Sequence, residues 1–156
     1  MADNRTVSIG TVDPRTPAIV TLIQELDEYL GPLYPAESNH LVDIDALAKP
    51  NVRFLAAKVD GLYKACGAIM IQGKDYAEVK RVYCSPTARG LGLGRRILVA
   101  LEAEARKEGL KLMRLETGNL QPEALGLFEA EGFVRRGAFG DYPADDPHSV
   151  FMEKRL

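Results

Sequence analysis

Arg89 to Gly94 reads RGLGLG, with glycines at every second position between a strand-like run and a long helical one. Glycine adopts positive φ readily and lets a ligand approach the main chain. At the start of a helix, such a bend aims several unpaired N–H groups at one point, where the helix dipole also favours negative charge. The chemistry on offer is the gripping of a diphosphate by Arg89, Gly90, Leu91, Gly92, Leu93 and Gly94, with Arg95 adding charge. A tight strand-to-helix turn without a ligand would use the same glycines, so the flanking residues have to choose. A nucleotide-binding P-loop is disfavoured, because neither the lysine nor the Ser/Thr of that motif follows the glycines.

Other chemistry is thinner. His40 and His148 are far apart and no Cys/His cluster accompanies them, so no metal is expected. Cys66 and Cys84 fall in apolar strand-like segments and read as free thiols in a reducing cytoplasm. A formal net charge of −2 argues against nucleic acid as a main partner. No run has the length of a signal peptide core or a membrane span, so a cytoplasmic protein without a membrane partner is expected. The 156 residues are expected to form one domain, 1–156, burying about 70% of the surface of the unfolded chain.

The elements that must position the loop follow from periodicity. Thr6 to Val12 alternates as a first strand. Asp13-Pro14 and Thr16-Pro17 are both credible helix starts. Ile19, Leu22, Ile23, Leu26 and Leu30 then keep the helical period until Gly31-Pro32. Leu33 to His40 holds too many turn formers for regular structure, and a short helix spans Asp43 to Ala48. Val52 to Lys58 and Leu62 to Gln72 flank the hairpin turn Asp60-Gly61. Gly73-Lys74-Asp75 turns into a strand from Tyr76 to Cys84, which Pro86 ends. Leu93, Ile97, Leu98, Leu101 and Ala105 mark one face of a helix closed by Gly109. Lys111 to Glu116 is a strand, Pro122 to Gly132 a helix, and Phe133 to Phe139 and Ser149 to Lys154 are closing strands. The order β-α-α-β-β-β-α-β-α-β-β implies a mixed sheet with helices on both faces.

With the glycine loop between its fourth strand and third helix, this order resembles the GNAT N-acetyltransferase superfamily, in a bacterial-type branch. The family's loop pattern is Gln or Arg, two residues, Gly, one residue, then Gly or Ala; Arg89, Gly92 and Gly94 match it. Its second motif, Asn-x-x-Ala-x-x-Leu-Tyr followed by Gly-Phe, is met by Gln121, Ala124, Leu127, Phe128, Gly132 and Phe133. The resemblance covers nearly the whole chain and is strongest from Tyr76 to Phe133. It implies an α/β (α+β) fold, a mostly antiparallel twisted sheet of about seven strands. It also implies acetyl-CoA as co-substrate and transfer to the amine of a small molecule, amino acid or peptide by direct attack through a tetrahedral intermediate. A homodimer is common in the family. The pyrophosphate would sit on the loop, and the pantetheine would pair like an extra strand near Val82, Tyr83 and Cys84. Gln121, in the usual place of asparagine, can still hydrogen-bond that arm. Phe128 stands where many members carry a tyrosine, and phenylalanine cannot donate a proton.

An alkyl ammonium, with a reference pKa of about 10.4, must lose a proton before it can attack. Glu78 is the first candidate to accept it, because several family members place a general base there. By alternation it shares a face with Lys80, Val82 and Cys84 unless a bulge intervenes; otherwise it is a solvated residue paired with Lys80 or Arg81. Glu116 ends the fifth strand and is the next candidate, with capping of the following loop as its plainer role. His40 is a third. A backbone N–H at Val82 or Tyr83 would stabilise the oxyanion. A thiolate whose acid has a pKa of about 8.5 leaves without strict need of a proton; Tyr142 or Tyr83 would be the donor if one acts. Cys84 as an acyl-carrying nucleophile lacks a histidine to activate it. The acceptor pocket would draw on Tyr29, Tyr34, His40 and Asp141, with Glu37, Asn39, Asp145 and Asp146 nearby. Those acids would suit a cationic acceptor or merely solvate loops. The rival reading is a non-catalytic acyl-CoA-binding domain, motivated by Phe128.

Overall fold

The computed structural model describes residues 4–38 and 43–156; Asn39 and His40 lie outside the described residues. Strands β1 (Val7–Thr11), β2 (Val52–Val59), β3 (Leu62–Gln72), β4 (Tyr76–Cys84), β5 (Leu112–Gly118), β6 (Val134–Arg136) and β7 (Ser149–Arg155) form a seven-stranded sheet in the order β1-β2-β3-β4-β5-β7-β6. Neighbours are antiparallel except β4 and β5, which run parallel because helix α3 (Leu93–Lys107) crosses between them. Helices α1 (Pro17–Leu30) and α2 (Ile44–Leu47) cover one face; α3 and α4 (Pro122–Ala130) cover the other. The element order is the one expected from the sequence.

Apolar spacing decides which helix faces are buried. On α1, Ile19, Leu22, Ile23, Leu26 and Leu30 are buried, the first three against Phe54, Ala56, Cys66 and Ala68. Of the two helix starts, Thr16-Pro17 is the one used; the Asp13 carboxylate instead accepts from the Arg15 amide at 2.9 Å and closes a turn. On α3, Leu93, Ile97, Leu98, Leu101 and Ala105 pack on Ile69, Val79 and Leu115. Each such side chain contributes about 1.5–3 kcal/mol of burial. Asp60 and Gly61 both take positive φ, 50° and 83°, the form a two-residue hairpin needs.

Two expectations from alternation fail for identifiable reasons. The strand expected over Phe133 to Phe139 is cut to Val134–Arg136. Phe139 turns inward, edge-on to Tyr76, Tyr142 and Phe151 at 5.4–5.6 Å, and drags residues 137–148 across the sheet as a strap. The second concerns β4. Cys66 stands opposite Tyr83 and Ala68 opposite Lys80, so Arg81 and Val82 together face Gly67: a β-bulge. Arg81 takes φ 57°. A Cβ on Gly67 would come within 2.6 Å of Ile97 Cγ2, so only glycine lets α3 lie this close. The bulge switches faces. Val82 and Cys84 join Ala77 and Val79 in the core under α3, while Glu78 and Lys80 face the strap and Tyr83 packs beneath α1. Glu78 therefore does not share a face with Val82 and Cys84, contrary to simple alternation.

Candidate active site

The register between β4 and β5 runs from Ala77 opposite Met113 to Val79 opposite Leu115 and ends there. Past that point the bulge bends β4 away, opening a notch. The glycine loop lies beyond it. A single turn of 3-10 helix, Pro86–Ala88, leads into Gly90 at φ 90° and Gly92 at φ 66°. Gly92 caps α3, and its carbonyl accepts from the Arg96 amide at 3.0 Å. At Gly90 and Gly92 an added Cβ would meet nothing within 4 Å, so the main chain stands open to an incoming group. Gly94 has another duty: a Cβ there would come within 2.9 Å of Leu127, so it brings α4 against α3.

A cleft of about 420 Å³ runs along this loop. Every residue foreseen for the cofactor lines it except Leu91, which turns into the core. Tyr29, foreseen on the acceptor side, lines this cleft instead. Arg89 and Arg95 keep exposed side chains beside it, Arg95 paired with Glu131 at 3.0 Å. Burial pushes the Cys84 thiol up, against the pull of Arg89, so its sulfur is no ready nucleophile. The open donors, the start of a fifteen-residue helix and the flanking guanidinium groups fit the diphosphate of coenzyme A.

On the far side of the notch a smaller cavity, about 110 Å³, is bounded by Val79–Val82 of β4 and residues 115–118 of β5. Leu26, Val82, Gln121, Ala124 and Phe128 line both cavities, which therefore meet. Tyr34 closes this end. Its hydroxyl donates to Gln121 Oε1 at 3.2 Å and accepts from the Leu120 amide at 3.0 Å, and burial pushes its pKa up. Its ring stands edge-on to His148 at 5.8 Å.

The two candidate carboxylates differ in access. Glu116 lines the smaller cavity, and Ser149 Oγ donates to its Oε2 at 2.8 Å. Glu78 is 6% exposed and lines neither cavity. Its Oε2 accepts from Tyr142 Oη at 2.5 Å and pairs with Lys80 Nζ at 2.8 Å. Burial, and then the charge of Glu78, push the Tyr142 phenol well above its ordinary pKa; it is a neutral donor carried by the strap. Tyr83 points its hydroxyl to Glu25 at 3.3 Å and is pushed up to about 12, first by burial and then by that carboxylate. Asp141 is exposed on the strap. Sequence reasoning missed Ser38, Lys80, Arg81, Thr117 and Gly118 as cavity residues. Only Gly67 hinted at the bulge that brings Arg81 there. Among the described residues no group of three or more His, Cys, Asp or Glu side chains could hold a metal ion, and no helix is long and apolar enough to cross a membrane.

A glycine loop on an α3 N-terminus beside parting parallel strands is an architecture that can be compared with known proteins. The sequence profile of the acetyltransferase (GNAT) family matches residues 19–133. The chain belongs to this family. The acetyltransferase is similar to an IAA acetyltransferase of Azospirillum brasilense, 52% identical over 151 residues, 96% of this chain and 98% of that protein. It is also similar to a Klebsiella pneumoniae structure assigned as an acyl-CoA N-acyltransferase, with TM-score 0.81 and 36% identity over 96% of this chain and 97% of that one. A PaiA N-acetyltransferase from Thermoplasma acidophilum, in complex with coenzyme A, shares the fold at TM-score 0.75 and 16% identity, over 97% and 99% of the chains. The acetyltransferase is thus an enzyme that uses acetyl-CoA to acetylate an amine.

Proposed function

We propose that transfer takes place in the notch between β4 and β5, with Glu116 accepting the proton of a small amine that enters through the 110 Å³ cavity. Acetyl-CoA, when bound, supplies the activated acyl group. The loop from Arg89 to Gly94 grips its diphosphate, and the bulged end of β4 at Val82 to Cys84 offers main-chain groups to its pantetheine arm. Gln121, oriented by Tyr34, offers its amide to the same arm. The observation that carries this reading is the meeting of the two cavities at Val82, Gln121 and Phe128.

Glu116 is favoured over Glu78 because it lies on the cavity wall, whereas Glu78 lies behind Lys80 and Tyr142. A general base must come within reach of the proton it takes. Phe128 leaves the thiolate without a donor at its position, which a leaving group of pKa about 8.5 tolerates. IAA, named for the Azospirillum relative, belongs beside simple amines in the first acceptor panel.

The test is thiol release at saturating acetyl-CoA for Glu116→Gln and Glu78→Gln. Glu116→Gln should lose roughly 10²–10⁴ in kcat/KM at unchanged stability. Glu78→Gln should lose less than about tenfold but, by stranding Lys80, cost about 3 kcal/mol of folding stability. The opposite ranking of rates would return the base to Glu78.

A further inference from the structure

Among the described residues, the charged ones that line the acceptor cavity are divided between its walls. Lys80 and Arg81 come from β4, and Glu116 comes from β5. The carboxylates that hold the two cations do not line the cavity: Glu78 holds Lys80, and Asp27 on α1 holds Arg81. An occupant therefore meets an anion on one side and cations on the other, across a space of about 110 Å³. That is several times the ~10–15 Å³ that a single enclosed water needs. The two ends that an occupant presents to these facing walls are close together.

Lys80 is the informative side chain. It is 13% exposed, its ammonium lies 4.9 Å above the Tyr142 ring, and it contacts Glu78 Oε2 at 2.8 Å and the Tyr142 hydroxyl. An ammonium has three N–H donors. Glu78 and Tyr142 contact it from outside the cavity that Lys80 lines, and with three donors it has one more to offer an occupant. Glu78 already neutralises its net charge, so what Lys80 offers is a directed donor at short range. The ligand oxygen that rewards such a donor most is an anionic one.

We infer that the acceptor carries a carboxylate close to its amine and that Lys80 reads this carboxylate while Glu116 faces the amine. The substrate class is then that of small amino acids. This rests on the transfer reading above for the orientation of the amine; the carboxylate preference is measurable without it.

Matched triplets test the inference: an amino acid, its carboxamide and its decarboxylated amine, for example leucine, leucinamide and 3-methylbutylamine, repeated with the alanine and phenylalanine sets. Two readouts run in parallel, thiol release with acetyl-CoA and calorimetric binding to the coenzyme A-loaded enzyme. In at least one set the acid should exceed its decarboxylated amine by ~10–100-fold in both kcat/KM and affinity, with the amide between. The gain should lie mainly in KM. Lys80→Arg should keep the preference and Lys80→Met should abolish it. Because Lys80→Met alone strands Glu78, the double variant Glu78→Gln/Lys80→Met removes the pair together and should abolish it as well. Equal rates and affinities for acid and amine in every set would overturn the inference while leaving amine acetylation intact. So would a preference that survives in the double variant. Carboxylate-selective binding without any acetyl transfer would instead sustain the inference and sink the transfer reading.

Discussion

Gly118 and Tyr34 make the most demanding contact near the site. A Cβ built on Gly118 would lie 1.9 Å from the Tyr34 hydroxyl oxygen and 2.1 Å from Cζ. Gly118→Ala should therefore push the ring back by roughly 1.5 Å, since ordinary contacts begin at about 3.5 Å. The ring is buried and its hydroxyl joins the Leu120 amide to Gln121, so retreat breaks both hydrogen bonds. Overpacking costs about 1–3 kcal/mol and each bond about 1 kcal/mol net, giving a loss of about 3–5 kcal/mol. For a chain of 156 residues that lowers Tm by roughly 6–20 °C. Gln121 lines both cavities, so its displacement should also reduce kcat/KM, by up to ~10² for a shift of about 1 Å. Differential scanning fluorimetry and thiol-release kinetics read the two effects. Tyr34→Phe, which removes the hydroxyl without a clash, should cost only about 1–2 kcal/mol. Tyr34→Leu should render the alanine at 118 nearly neutral when the two are combined, a non-additivity expected only of residues in contact. A Gly118→Ala protein within about 0.5 kcal/mol of the parent, with additive behaviour in the double variant, would refute the packing argument.

Two further outcomes follow from the same geometry. Gly92→Ala imposes a side chain on a left-handed residue at φ 66° and places its Cβ over the open cradle. It should cost about 1 kcal/mol of stability and weaken coenzyme A binding about tenfold by calorimetry; an unchanged Kd would remove the loop from the diphosphate site. Alkaline pH should destabilise the fold. Burial pushes the Cys66 thiol up to about 12, while an unfolded thiol ionises near 8.5. The unfolded state then binds fewer protons, so the contribution is complete below about pH 8.5 and is lost as pH rises towards 12, at up to about 1.4 kcal/mol per unit. Urea midpoints at pH 8, 9.5 and 11 should fall accordingly, and Cys66→Ala should flatten the decline; a level profile contradicts the burial of the thiol.

Much of the cofactor side could be read from the chain because its requirements are local. Gly90 and Gly92 are glycines where φ is positive, and Gly94 is one where Leu127 comes close. The buried faces of α1 and α3 follow the helical period residue by residue. The acceptor side was far less legible. Arg81 at φ 57° is a non-glycine in a glycine conformation, so the bulged residues do not announce themselves and only Gly67 opposite hints at them. Without the bulge, alternation puts Glu78 on one face with Val82 and Cys84. With it, Glu78 turns under the strap and Glu116 is the carboxylate left on the cavity wall. The inward turn of Phe139 was hidden for a similar reason, because its partners Tyr76 and Phe151 come from separate strands.

The amino-acid sequence by itself settled the order of the elements and the glycine loop at the head of α3. Backbone permissiveness and hydrophobic period act over a few residues at a time. Tertiary structure alone decided which carboxylate reaches the notch, which way Lys80 is held and why Gly118 must lack a side chain. Each of those depends on strands and a strap that are distant in the chain and meet only when the sheet closes around β4 and β5.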